Sequence, residues 1–531
     1  MPTRLVEMVS TQGERNLRLR ETISGDKEPF AALSYCWGGE QLFKTTRHNL
    51  SQLIKGFSIQ DLPPSLRDAV IATEKLGLHF IWVDALCIVQ DDDYDKASEI
   101  ALMPAIYNQA AVTIVASRAA GVNDGFLGPR PAFGATNPGE VFDLPYRCKD
   151  GILGSVTLIR EVERSREPLD RRAWALQERL LSPRILDYGT YQTEWICQVS
   201  QEEKGLTDGW VDYHPDYWDK KTKERWDLLL LRSRALLDSS AEEIPGSIES
   251  EDLGSPHYQW YELVKIYTNR ALTFSTDRLP AISGIAERYA EILRDEYVTG
   301  LWKSKLPLEL LWARETWNSG EDRLKRRPRE YQSPSWSWAV INGPIEFTIR
   351  PWFTGKIDEH FEVLDCRVQP VVNDAKFGAV QSSSLTLKGR MRPALWVHSD
   401  ESGREKNDWL KMIKTPEQSW GIGLFRRRAR IESDEVLAAS VRVDCLEDEF
   451  IPKGTCTIQV HLLLIARHFG TIRGLVLRRH TTGEYSRLAL FDYDIPDLDK
   501  LPGENKEKRE TMYREQISWL LQGETQTVSL I

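Results

Sequence analysis

Between residues 30 and 117 three apolar runs alternate with stretches of helical spacing. "FAALSYCW" (30–37) reads as a strand running into a loop at Gly38 and Gly39, and "HFIWVDALCIV" (79–89) reads as a second strand. "AAVTIVAS" (110–117) reads as a third. Their apolar residues are continuous rather than alternating, as in strands buried on both faces of a helix-covered parallel sheet. Between the first two, Leu66, Ala69, Val70, Thr73 and Leu76 recur at helical spacing, with Pro64 near the start and Gly77 at the end. Residues 94–107 predict another helix, on which Glu99, Met103, Ile106 and Tyr107 fall within a sector of roughly 100°. The βαβαβ order predicts an α/β layered domain with right-handed crossovers.

Further on the texture changes. Residues 238–256 hold six acids and no basic residue, with Pro and Gly interspersed, and read as a linker or disordered insertion. Helical periodicity returns at 257–315. From about 331, short runs such as "SLTLKG", "CTIQVHLLLIA", "RGLVLRR" and "SRLALFDY" predict a β-rich region. A terminal amphipathic helix carrying Tyr513, Ile517 and Leu520 is expected to close the chain. The expected division is 1–200, an α/β domain; 201–256, a variable acidic insertion; 257–330, a helical region; and 331–531, a β-rich region with a terminal helix.

Composition narrows the function classes. A net charge of -10 argues against a nucleic-acid surface over the whole chain. No window reaches the roughly 18 apolar residues of a membrane span, and "MPTRLVEMVS" lacks the apolar core of a secretory signal, so a cytoplasmic protein with no membrane partner is expected. Seven scattered cysteines never form CxxC, and nine histidines show neither HxxxH nor HExxH, so no zinc site is encoded locally. Walker, complete GxGxxG and GxSxG motifs are absent. "RRRAR" (426–430) reads as a charged strand edge, or as an import signal.

The candidate chemistry lies where the second run empties into Asp91, Asp92 and Asp93. Glu99 follows on the face expected to meet the sheet, and a charged, unpaired carboxylate in a dry site costs several kcal/mol. It is therefore either an ion-pair partner or a group poised for chemistry, beside the crevice that open α/β sheets form at their strands' C-terminal ends. The three aspartates read as helix caps. A calcium loop is rejected, since Lys96 holds the turn-glycine position and Leu102 the twelfth. Pro104 should kink the helix or break its ladder.

The loop after the first run offers matching groups. Trp37 would stack on a flat ring, Ser34 and Tyr35 leave the strand, and Gly38 with Gly39 would let main-chain amides approach a phosphate. Cys36 reads as a packed thiol or a nucleophile. Asp84, at the end of the second strand, would bond loop amides. "RRAWALQERL" (171–180), with Leu181 beyond it, sets Trp174, Gln177, Glu178 and Leu181 on one helical side. There Trp174 would pack, while the polar pair satisfies buried backbone or Arg172.

"ALSYCWGG", "LPPSLRDAVIATEKLGLHFIWVDALCIVQDD", "EIALMPAIYNQAAVTIVAS", "GFLGPR" and "RAWALQERLLSPRIL", in that order, resemble the fungal heterokaryon incompatibility (HET) domain. "FSTDRLPAISGIA" and "SPSWSWA" resemble segments that commonly follow it. The resemblance implies a part in fungal non-self recognition, as an effector triggering regulated cell death. It also implies distant kinship with TIR domains and a flavodoxin-like layered fold. Some TIR domains hydrolyse NAD with one essential Glu, and the matching position is Glu99. Where the pattern has a Trp ahead of the Glu, Asp95 and Lys96 stand here.

On this basis the N-terminal domain is expected to hydrolyse NAD as substrate, without a resident cofactor or metal. Glu99 would be catalytic, with Ser34, Tyr35, Trp37, Gly38 and Asp84 binding. The alternative is a catalytically silent interaction or regulatory protein that uses the fold as a docking module. Self-association through the domain and an unidentified protein partner are the expected contacts.

Overall fold

The computed structural model describes residues 1–11, 14–23, 25–130, 141–148, 151–159, 167–190, 192–197, 205–209, 255–315, 327–328, 330–348, 356–373, 375–397, 408–414, 420–425, 437–444, 457–468, 471–494 and 506–531. The basic run at 426–430 and all but two residues of the acidic run at 238–256 lie outside them. The chain divides into two compact units, Met1–Ile244 and Pro245–Ile531.

The first unit starts with a hairpin, β1 (Arg4–Thr11) and β2 (Glu14–Glu21), then β3 (Phe30–Ser34). There follow α1 (Leu50–Lys55), β4 (Phe57–Ser58), α2 (Pro64–Lys75), β5 (Phe80–Trp82), α3 (Asp84–Cys87), α4 (Asp93–Gln109) and β6 (Val112–Val115). A separate ribbon, β7 (Val141–Arg147) and β8 (Leu153–Ile159), precedes α5 (Ala173–Leu181), β9 (Arg184–Tyr188), β10 (Gln192–Cys197) and β11 (Gly205–Gly209).

Every residue of β3, β5 and β6 is buried, as continuous apolar runs require. These strands and β9 form the parallel centre of a nine-stranded sheet ordered β11-β10-β9-β6-β3-β5-β1-β2-β4. The flanking β1 and β10 pair antiparallel to β5 and β9. In register, Ala32 stands beside Trp82 and Thr113, and Ser34 beside Val115, so these side chains share one face. Helices α4 and α5 cover it. Tyr107 of α4 meets Trp82 edge-on at 5.7 Å, and Ser182 after α5 shares a 2.6 Å hydrogen bond with Thr113.

Expectations for three elements of the first unit are corrected. The run at 79–89 is a strand only to Trp82. Asp84–Cys87 is a helical turn, with Leu86 and Cys87 N–H bonded to Val83 O. A buried apolar run does not by itself distinguish a strand from a helical turn. The first strand likewise ends at Ser34, and Tyr35–Trp37 belong to the loop. The helix carrying Pro104 runs unbroken from Asp93 to Gln109, because proline removes one ladder bond and its neighbours hold the turn against the sheet.

In the second unit, helices Pro256–Thr268 and Ser283–Leu293 lead into a ten-stranded sheet between Lys356 and Leu530. The four β runs read from the sequence fall in strands Val380–Val397, Thr457–His468, Thr471–Arg479 and Tyr485–Asp494. The helix Lys506–Leu521 does not close the fold. A further strand, Glu524–Leu530, pairs with Val380–Val397. Trp260, Trp302, Trp312, Trp336 and Trp338 are fully buried. Arg487, also fully buried, grips Asp444 with two hydrogen bonds (2.9 and 3.1 Å) and donates to Leu310 O and Trp312 O at 2.6 Å each. Its guanidinium lies 3.5 Å from the centre of the Trp312 ring.

Candidate functional site at the head of the parallel sheet

The C-terminal ends of β5, β3, β6 and β9 line up along one edge, and three arginines organise its polar groups. Beyond β5, Arg4 pairs with Asp95 and donates to Cys87 O at 2.8 Å. Beyond β3, Arg172 donates to Tyr35 O and acts on Asp84 and Glu178. Beyond β6 and β9, Arg179 donates to Ser117 Oγ at 2.8 Å and pairs with Asp187. The first group meets the α3 turn at Cys87 and the second at Asp84.

The middle group gathers most of the residues singled out above. Ser34 ends β3, is 1% exposed, and donates its hydroxyl to Glu178 Oε2. Trp37 donates Nε1 to Asp84 Oδ2 at 2.9 Å, while Asp84 Oδ1 accepts from Ala85 N–H at 2.6 Å. The Tyr35 hydroxyl accepts from Gln41 Nε2 at 3.4 Å and lies beside Asp84. Tyr107 closes the floor, donating to Leu33 O at 3.0 Å. Trp37, Asp84 and Arg172 are partly exposed; Ser34, Tyr35 and Glu178 are buried.

Burial shapes the charge here. It raises the Glu178 carboxyl to about 7, with Arg172 and Ser34 pulling it back and Asp84 adding to the rise. It also raises Asp84, opposed by Arg172, Trp37 and the Ala85 amide. Tyr35 goes well above its ordinary value for the same reason, with Asp84 contributing. Cys36 is raised by burial too, and packs with Val115, Leu169, Ala175 and Ile185, which favours the packed thiol over the nucleophile.

The glycine pair divides its labour. Gly38, at φ +73°, lies against the loop after β6. A Cβ there would stand 2.4 Å from Gly121 Cα, and Val122 N–H bonds Trp37 O at 3.2 Å. Its missing side chain admits a neighbouring loop. A Cβ on Gly39, at φ +141°, would meet nothing within 4 Å.

Glu99 belongs to the first group. It is buried on the α4 face with Met103, Ile106 and Tyr107, as the spacing predicts, and is 1% exposed. Its carboxyl is raised by burial and by Asp95, and lowered by Thr3 and Arg4. Its Oε2 is buried without a hydrogen-bond partner among the described residues. Asp92 caps α4 through Tyr94 and Asp95 N–H, whereas Asp91 accepts from Arg47 N–H at 2.8 Å.

Sequence reasoning set Glu178 and Arg172 in a structural role and passed over their pairing with Ser34 and Asp84. The signal present was Glu178 on the buried side of its helix. It passed over Arg4 entirely, because a lone arginine opening a strand carries no motif. No group of three or more His, Cys, Asp or Glu is placed to hold a metal among the described residues. No helix there is long and apolar enough to cross a membrane.

Residues 30–178 match the family model described as heterokaryon incompatibility protein (HET). No curated protein and no solved structure matches the chain. The HET match begins with β3 and ends at Glu178 within α5, so it spans both loops of the middle group. Arg4 and Arg179 fall outside it.

Proposed function

We propose that the protein acts in fungal non-self recognition, as an effector whose N-terminal unit triggers the heterokaryon incompatibility response and cell death. The unit would do so by engaging a small ligand at the head of its parallel sheet. The observation that carries this reading is the cluster of partly exposed Trp37, Asp84 and Arg172 over buried Ser34, Tyr35 and Glu178, within the matched segment. The parallel order β5-β3-β6-β9 supports a flavodoxin-like, and hence TIR-like, layering, in which ligands sit where the strand order reverses, between β3 and β6. Hydrolysis of NAD fits such a site: Trp37 offers a ring face, and Asp84 a carboxylate for ribose.

A second reading, a silent docking module, is favoured by one feature. Glu99 is 1% exposed and interacts with Thr3 and Arg4. Controlled expression of the full chain in a filamentous fungus separates the two. The ligand-site reading expects growth arrest that Asp84→Asn relieves at equal protein level; equal killing by both would favour docking, and normal growth with the wild-type chain would sink both.

A further inference from the structure

Arg172 acts on both Glu178 and Asp84, and Asp84 raises Glu178. The other groups facing them are Ser34 from β3, Tyr35 from the following loop and Tyr107 from α4. Two carboxylates against one guanidinium leave one negative charge in excess, and a low-dielectric setting disfavours it. Below about pH 7 one proton therefore stays on the pair. Asp84 is partly exposed and accepts from the Trp37 indole and Ala85 main-chain N–H groups, while Glu178 is buried beside the Ser34 and Tyr107 hydroxyls, so the proton belongs on Glu178.

We infer that Glu178 is the acid of this site, protonating the departing base of a purine ribonucleoside held against Trp37, while Asp84 takes the proton of the attacking water. The inference rests on the ligand-site reading above and narrows its substrate class. The glycosidic C–N bond breaks as the Glu178 proton reaches the base nitrogen. Water oxygen bonds to the anomeric carbon, and its proton passes to Asp84. The pair ends with one proton, as it began. A nicotinamide ring leaves NAD as a neutral molecule and needs no acid. A purine leaves as an anion unless protonated, so a standing acid assists the purine riboside. That the raised carboxyl of Glu178 titrates near neutrality agrees with this role.

The test is base release from inosine by the full chain between pH 5 and 9, with NAD as parallel substrate. The wild type is expected to release hypoxanthine with kcat falling above about pH 7. Glu178→Gln keeps an acceptor for Ser34, and should lose on the order of a hundredfold or more in kcat together with that pH limb. Asp84→Asn should slow the reaction and keep the limb, and it serves if the first variant fails to fold. Unchanged activity or an unchanged pH limb in Glu178→Gln overturns the inference. NAD consumption without base release from inosine overturns it and leaves the ligand-site reading standing, whereas a wild type inert toward both substrates sinks the two together.

Discussion

Replacing Glu178 with Gln tests the electrostatics of the sheet head directly. The side chain is 6% exposed, and burial raises its carboxyl from 4.5 to about 7. A carboxyl whose folded value is raised contributes stability that is complete below pH 4.5. That contribution is lost as pH rises through the folded value, and above about 7 the loss is constant. At about 1.4 kcal/mol per pH unit the difference amounts to about 3 kcal/mol. The introduced amide mimics the protonated acid at every pH. The variant should therefore match the wild type near pH 4.5 and exceed it by up to about 3 kcal/mol at pH 8. Urea unfolding of the full chain from pH 4.5 to 8 gives the difference, and hydrogen exchange across Ala173–Leu181 locates it in α5. A variant weaker than wild type at pH 8 would refute the reasoning, since the ionised Glu178 would then gain more from Arg172 than burial costs it.

Two further outcomes follow from packing. Gly38→Ala meets both a left-handed backbone and Gly121 Cα, so a loss of about 2–4 kcal/mol is expected in urea unfolding; a loss below about 0.5 kcal/mol would show that the two loops part freely. Arg487→Met strands Asp444 in the second unit and should cost about 3–5 kcal/mol, with Asp444→Leu in the same chain recovering much of it. Additive losses in the double variant would contradict the pairing.

Much of the first unit could be read from its periodicities. The helical spacing of Glu99, Met103, Ile106 and Tyr107 predicts a buried face, and all four are buried. The runs at 30–37 and 110–117 predict strands, because both faces of β3 and β6 are covered. What periodicity does not carry is partnership between elements distant in the chain. Glu178 meets Ser34 across 144 residues, and Arg4 meets Asp95 across 91. The spacing that turned Glu99 inward was silent on which cation waits there. The β1–β2 hairpin went unread although Leu17 and Leu19 are buried between the arginines of β2. Its two-residue period is short and interrupted by charge.

The measurement that tests the account most directly is saturation-transfer NMR on the full chain with NAD and with inosine, beside Asp84→Asn and Glu99→Gln. The account predicts transfer to ribose protons with the wild type and Glu99→Gln, lost in Asp84→Asn. Loss in Glu99→Gln with retention in Asp84→Asn would contradict it, and would move the working site to Arg4 and Glu99.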